Sequence, residues 1–367
     1  MDNNFNRGGQ FVNGNSQFGG WGQQGFGYGQ NMPNGWAPPG GPFIDPLRKK
    51  NDKKILRSAG NLFGMAIILY IIIATVISFA IVVLSDHFPL LNELYSDDIL
   101  SSCYDIIASI LFLGGPFFLA YSILKKKKIM GILPFGTPYN KKAAIYFVMF
   151  MLPVVLLSSM GINIISFYVQ EYLGITFTSG MEDMQVTGVF GTIVSVISMA
   201  IVPALIEETA IRGIVMQPLR RYGDTFAIIS SAVIFSILHG NMVQIPYTMV
   251  AGIYFGLVAV LTGSLWPSIV LHCLNNLFSV VIMATEGNFG IDAANNVTYA
   301  MLGFVVVLGI FSVIKFGKSG YEHPLTKGVN TLKSGEKVSA LFINPTMIIA
   351  IVIMLILTAT SISSNAS

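Results

Sequence analysis

Four long stretches of the chain, 62–84, 106–124, 143–169 and 186–206, contain no Asp, Glu, Lys, Arg or His. Each exceeds the roughly 18 apolar residues that mark a membrane-spanning helix. Charge gathers between the apolar stretches, and its sign alternates. Arg48, Lys49, Lys50, Lys53, Lys54 and Arg57 form a basic collar before the first stretch, whereas 86–98 carries four acidic residues and no Lys or Arg. The run of lysines at 125–128, with Lys141 and Lys142, is basic again; 171–183 is acidic, Arg220-Arg221 basic, 286–292 acidic, and 315–337 holds five lysines. Basic segments stay on the cytoplasmic side of a membrane, which predicts a cytoplasmic N-terminus and a last span that finishes outside. Nine spans satisfy the alternation, near 62–84, 102–124, 143–169, 187–221, 225–240, 246–262, 266–284, 298–315 and 340–361. No charge punctuates 242–271, so two short helices or one re-entrant segment both fit there. The expected fold is all-α: a polytopic membrane helix bundle of about 8–9 transmembrane helices, multi-pass in the plasma membrane, behind a disordered N-terminal tail.

Composition agrees and narrows the function. Hydrophobic residues make up 53% of the chain and charged residues 11%, and a net charge of +3 is too small to point to nucleic acid as a partner. Membrane lipid is the expected surrounding. Residues 1–45 interleave Gln, Asn and Gly with Phe, Tyr and Trp. That mixture has too few aliphatic side chains to build a core and is expected to stay disordered. The two cysteines, Cys103 and Cys273, form no C-x-x-C pair. Cys273 follows His272 directly, but neighbours on a helix point about 100° apart, so packing is its expected role.

Between 187 and 285 the ionisable residues are eight: Glu207, Glu208, Arg212, Arg220, Arg221, Asp224, His239 and His272. Arg220, Arg221 and Asp224 mark a turn. The others fall into Glu207-Glu208-Thr-Ala-Ile-Arg212, Phe235-Ser-Ile-Leu-His239 and His272-Cys-Leu-Asn-Asn276. A charge at the centre of a membrane helix costs about 2.5–3.5 kcal/mol on insertion scales, so such residues mark a site of work. The stretch 187–221 would be roughly 52 Å long as one helix, against a bilayer core of about 30 Å. Pro203 is expected to kink or break it just before the glutamates. Counting from the 221–224 turn, Glu208 lies ~14 residues back and His239 ~16 forward, which in an antiparallel hairpin puts both at about 21–24 Å from the turn. Glu208 and Arg212 are spaced i, i+4 with the acid first, the favourable order for a same-face ion pair. Glu207 is then rotated away, and His272 and Asn276 share one face. Taken singly, each piece also has a structural reading: a buried ion pair, a packed histidine, an asparagine joining helices.

Together, Glu207-Glu208-x-x-x-Arg212, Phe235-x-x-x-His239 and His272-x-x-x-Asn276, in that order, resemble the signature of the CAAX-protease and bacteriocin-processing family of intramembrane proteases, which includes the type II prenyl endopeptidases. Gly213 follows the arginine as in many members. The resemblance covers about 190–285, and divides the chain into a tail and collar (1–55), N-terminal spans (56–185), a catalytic core (186–285) and C-terminal spans (286–367). It implies an endopeptidase acting on a membrane-associated peptide or protein. By transfer, Glu207 activates water, Glu208 assists or holds Arg212, His239 and His272 position the water or serve the leaving amine, and Asn276 stabilises the oxyanion. The family is often described as metalloproteases. Glu207, His239 and His272 would then be the ligands of a Zn²⁺, while the same groups would bind and activate water with no metal. Two other readings stay open: a noncatalytic scaffold or bacteriocin self-immunity protein, and an ion-coupled transporter using the buried acids and imidazoles as a relay.

Overall fold

Helix formation begins well before the first apolar stretch. Asp45 caps the first helix by accepting a hydrogen bond from the Leu47 amide (2.9 Å), and Pro46, which needs no donor partner, fills the first turn. From there α1 runs unbroken over Pro46–Leu84. The basic collar, expected to extend the tail, is therefore the opening turns of a helix. The computed structural model describes residues 45–85, 87–88, 91, 98–177, 186–318, 320–329 and 331–364. The tail predicted at 1–45 lies outside the described residues except for Asp45, as do parts of the acidic segments 86–98 and 171–183.

After α1 come α2 (Ile99–Lys126), α3 (Lys141–Leu173), α4 (Gly188–Tyr222), α5 (Asp224–Leu238), α6 (Gln244–Thr262), α7 (Leu265–Phe289), α8 (Ile291–Gly317), α9 (Ser334–Phe342) and α10 (Pro345–Thr360). Seven of these are long and apolar enough to cross a membrane, and α9 with α10, bent by 74° at their junction, makes an eighth if counted as one span. The protein is a polytopic all-α bundle. A short antiparallel ribbon, β1 (Ile175–Phe177) with β2 (Ile362–Ser364), joins the end of α3 to the end of α10.

One expectation changes and one open alternative is resolved. The span predicted at 225–240 is α5, 15 residues long, and ~22 Å of helix falls short of a bilayer core of about 30 Å. Hydropathy registers α5 because protein, not lipid, surrounds it: Ala227, Ile228, Ala232, Ile234 and Phe235 are all buried. The uncharged stretch 242–271 resolves into two helices, α6 and α7. Between them Gly263 takes a left-handed φ of +67°, with the Tyr139 ring packed where a Cβ would project.

Close helix crossings hold the outer layer on the core. Gly60 and Gly64, one turn apart on α1, face the α9–α10 junction; a Cβ on Gly64 would come 2.5 Å from the Met347 amide nitrogen. This is the small-x-x-x-small device by which helix backbones approach closely without apolar driving force from lipid. Asn344 occupies the junction, capping α10 through the Met347 amide (3.1 Å) and donating to Leu341 O (2.7 Å).

The turn between α4 and α5 is fastened from two directions. Asp52 of α1 is fully buried, and its carboxylate accepts from Arg221 Nη2 (2.6 Å) and Thr331 Oγ1 (2.7 Å). The Tyr222 hydroxyl donates to Asp52 O (2.8 Å). On the other side Asp224 accepts from Arg220 Nε (2.7 Å), the Thr326 amide (2.9 Å) and Thr326 Oγ1 (2.9 Å). The segment after α8 thus straps the base of the α4–α5 hairpin to α1. Replacing Asp52 by Ala leaves Arg221 and Thr331 without their acceptor. It is expected to destabilise the purified protein by about 1–3 kcal/mol, read as a lower thermal unfolding midpoint in detergent, with Asp52→Asn less affected because an acceptor oxygen remains.

Candidate active site

The site is built on irregular helix. In α4 two π-helical turns, Val196–Ile201 and Thr209–Val215, flank the seven residues Val202–Glu208. Such widened turns recur at functional sites, because they leave backbone carbonyls outside the usual i→i−4 ladder. Pro203 does not break the helix as expected. Having no N–H, it deprives the Met199 carbonyl of its helical donor. Asn276 Nδ2, reaching from α7, donates to that carbonyl instead (3.1 Å). In the second π turn the Met216 amide bonds Ile211 O, and the Arg212 carbonyl takes its hydrogen bond from Gln217 Nε2 (2.9 Å).

Between the two turns the helix presents Glu207 and Glu208 about 100° apart. Glu208 points inward and is fully buried. Its Oε1 accepts from Arg212 Nη1 (2.8 Å) and from His272 Nδ1 (3.1 Å), and its Oε2 accepts a short hydrogen bond from Ser268 Oγ. Arg212 is equally buried; its Nη2 donates to Gly252 O (2.9 Å), and its guanidinium lies over the rings of Phe235 (4.5 Å) and Phe255 (5.3 Å). The pair predicted from the i, i+4 spacing is therefore present, and it ties α4 to α5, α6 and α7. Glu207 keeps 22% of its side chain exposed and has no hydrogen bond among the described residues; its nearest charged or titratable neighbour is His272, with Nε2 3.8 Å from Oε2.

Tautomers follow from the partners. A carboxylate and a carbonyl can only accept, so His272 Nδ1 carries the hydrogen toward Glu208, and His239 Nδ1 carries the one toward Phe235 O (2.9 Å). In its neutral form each imidazole then has a bare Nε2. Aromatic rings fix both: His239 meets the edge of Phe235 at 4.8 Å, and His272 stacks on Phe255 at 4.7 Å. The Glu207 charge acts electrostatically on His239, Arg212, Tyr70 and Tyr247.

All six predicted residues, Glu207, Glu208, Arg212, His239, His272 and Asn276, come together. Sequence reading missed Ser268, Asn275, Tyr247 and Tyr70. Ser268 lies one helical turn before His272, so its place on the same face was readable; Tyr247 and Tyr70 come from other helices and carried no signal. Glu207, His239 and His272 do not fit a Zn²⁺: among the described residues no three His, Cys, Asp or Glu side chains converge with the spacing of a metal site.

Removing Arg212 strands a buried carboxylate. Arg212→Ala is expected to destabilise the protein by about 3–5 kcal/mol, whereas the double change Glu208→Gln with Arg212→Met, which takes both charges away, recovers most of that loss in thermal unfolding. A loss in the double variant as large as in Arg212→Ala would show that the charge pair does not carry the effect.

Comparison with known proteins falls on the same segment. No curated protein and no solved structure matches the chain. The family model for type II CAAX prenyl endopeptidase Rce1-like proteins matches residues 189–278, which covers α4 to the middle of α7 and contains Glu207, Glu208, Arg212, His239, His272 and Asn276. Over that segment the chain is similar to Rce1-like, type II CAAX prenyl endopeptidase proteins.

Proposed function

We propose that the protein is an intramembrane endopeptidase that hydrolyses a peptide bond of a membrane-associated peptide or protein, with Glu207 as the base that activates water. The observation that carries this reading is the contrast between the two adjacent glutamates. Three donors saturate Glu208, while Glu207 makes no hydrogen bond among the described residues and faces His272 across 3.8 Å. A carboxylate held without donors is available to take a proton.

The steps balance with the residues present. Water donates one hydrogen to Glu207 and the other to the bare Nε2 of His272, which lies 3.8 Å from Glu207, while the bare Nε2 of His239 accepts from the N–H of the scissile amide. The water oxygen attacks the scissile carbonyl carbon as the proton passes to Glu207, and the carbonyl π pair becomes an oxyanion. Collapse re-forms the C=O, breaks the C–N bond, and returns the proton from Glu207 to the leaving amine. Glu208, Arg212 and Ser268 do not touch the reacting atoms; they orient His272. The N–H of Asn276 Nδ2 not used by Met199 O is the donor for the oxyanion.

The chain crosses the membrane several times, and the charge alternation supports a plasma-membrane protein with its N-terminus in the cytoplasm. The substrate class follows from the setting: a peptide that reaches a site within the bundle arrives from the lipid or its surface.

Membranes from cells bearing wild type or Glu207→Ala are expected to differ in one class of peptide, which accumulates uncut in the variant because turnover falls about 10²–10⁴-fold. Mass spectrometry of the membrane peptides reads this directly. Identical peptide profiles would overturn the protease reading, and a Glu207→Gln protein that keeps its cellular phenotype would favour a noncatalytic scaffold.

A further inference from the structure

A chain of carboxamides beside the glutamates ends on a phenol that the mechanism above does not use. Asn275 Nδ2 has two hydrogens, and the structure places both. One donates to Asn276 Oδ1 (3.1 Å), and the other makes a short hydrogen bond to Tyr247 Oη. Asn276 in turn donates one hydrogen to Met199 O (3.1 Å). Asn275 is buried, on α7, while Tyr247 stands in the first turn of α6, so the chain of bonds spans α6, α7 and α4.

Accounting for the hydrogens leaves two donors unassigned. Tyr247 Oη receives from Asn275, so its own O–H hydrogen is directed elsewhere; it has no protein acceptor among the described residues. The second N–H of Asn276 is likewise unassigned among the described residues. The Asn275 carboxamide joins the phenol directly to Asn276, so the two unassigned donors stand on either side of one side chain. The two imidazoles cannot supply such donors. Both N–H groups are turned away, toward Glu208 and Phe235 O, and each presents a bare nitrogen. A tetrahedral oxyanion needs hydrogen-bond donors that are in place before the charge develops.

We infer that Tyr247 is a second oxyanion donor, paired with Asn276, and that Asn275 is the positioning residue that orients both. This rests on the protease reading. Tyr247 transfers no proton: its O–H donates a hydrogen bond to the oxyanion as the C=O π pair moves onto oxygen, and releases it when the C–N bond breaks. Asn275 acts through its two neighbours, since each of its hydrogens meets an oxygen whose own hydrogens, or whose attached amide, then face the pocket.

The test uses the full chain in detergent or nanodiscs. Its substrate is the peptide that accumulates uncut in Glu207→Ala cells, synthesised with a fluorophore and quencher. Tyr247→Phe removes one oxygen and is expected to lower kcat about 10²-fold with KM and the thermal midpoint nearly unchanged. A phosphinic analogue of the same peptide, which mimics the tetrahedral intermediate, should bind the variant weaker by the same factor, while binding of the uncut peptide to Glu207→Ala and to the Glu207→Ala, Tyr247→Phe double variant should be equal. Asn275→Asp, which keeps the shape and loses the donors, should lower kcat with the phenol still present. Wild-type kcat in Tyr247→Phe, with Glu207→Ala inactive, overturns the inference and leaves the protease reading standing. A fall in kcat with no loss of phosphinic affinity also overturns it. Absence of any accumulating peptide overturns both.

Discussion

The burial of one ion pair organises this site. Two charges with no access to solvent are tolerated in a membrane protein only when every lone pair and donor finds a partner. Glu208 and Arg212 meet most of that demand by drawing on their neighbours: Ser268 and His272 from α7, the Gly252 carbonyl from α6, the faces of Phe235 from α5 and Phe255 from α6, with only Arg212 Nε left without an acceptor among the described residues. The pair cannot be satisfied within α4 alone. Four helices must therefore stand at fixed depth and rotation, and the placement of His272 comes as a consequence. Its Nδ1 is one of the donors that the buried carboxylate requires, so its Nε2 is left turned toward Glu207.

Helix α4 makes this possible by departing from regular geometry. A proline between two π turns leaves the Met199 carbonyl without a backbone donor, and Asn276 fills that place. The sequence reading expected Pro203 to kink or break the helix and Asn276 to stabilise an oxyanion. The two residues are physically linked: the missing N–H of one is answered by the side chain of the other. At the far end of the hairpin, the Asp52 and Asp224 networks fix the turn from which the heights of Glu208 and His239 are counted. Positions at Glu208 and His239 are thereby set from below by the strap and from within by the ion pair.

Much of the architecture was legible because a bilayer imposes a coarse and strong pattern. The apolar spans placed α2, α3 and α4 and the end of α1 to within a few residues, and the i, i+4 spacing gave the Glu208–Arg212 pair. What escaped detection was of two kinds. Hydropathy cannot distinguish a helix immersed in lipid from one immersed in protein, so α5 read as a span although it is too short to be one. It also cannot register the start of an amphiphilic extension, so the opening turns of α1, rich in Lys and Arg but capped by Asp45, read as tail. Tyr247, Ser268 and Asn275 escaped because neutral polar residues are common in membrane helices. Only the contacts across α6 and α7 single these three out.

The division of labour between the two glutamates follows from their adjacency. Residues next to each other on a helix differ by about 100° in direction, so no rotation of α4 buries both carboxylates in the same polar nest. Whichever one meets Arg212 removes the other from its reach, leaving it partly exposed and without a hydrogen-bonded partner. A consecutive pair of acids is thus a compact way to obtain one anchored and one reactive carboxylate from a single turn. The same reasoning applies to the imidazoles. Each is fixed through Nδ1 by an acceptor, one by Glu208 and one by the Phe235 carbonyl, and so each offers a lone pair to the reacting groups. Under the proposed mechanism acceptors gather on the side of the nucleophile, and donors then come from the amide and phenol groups of α6 and α7.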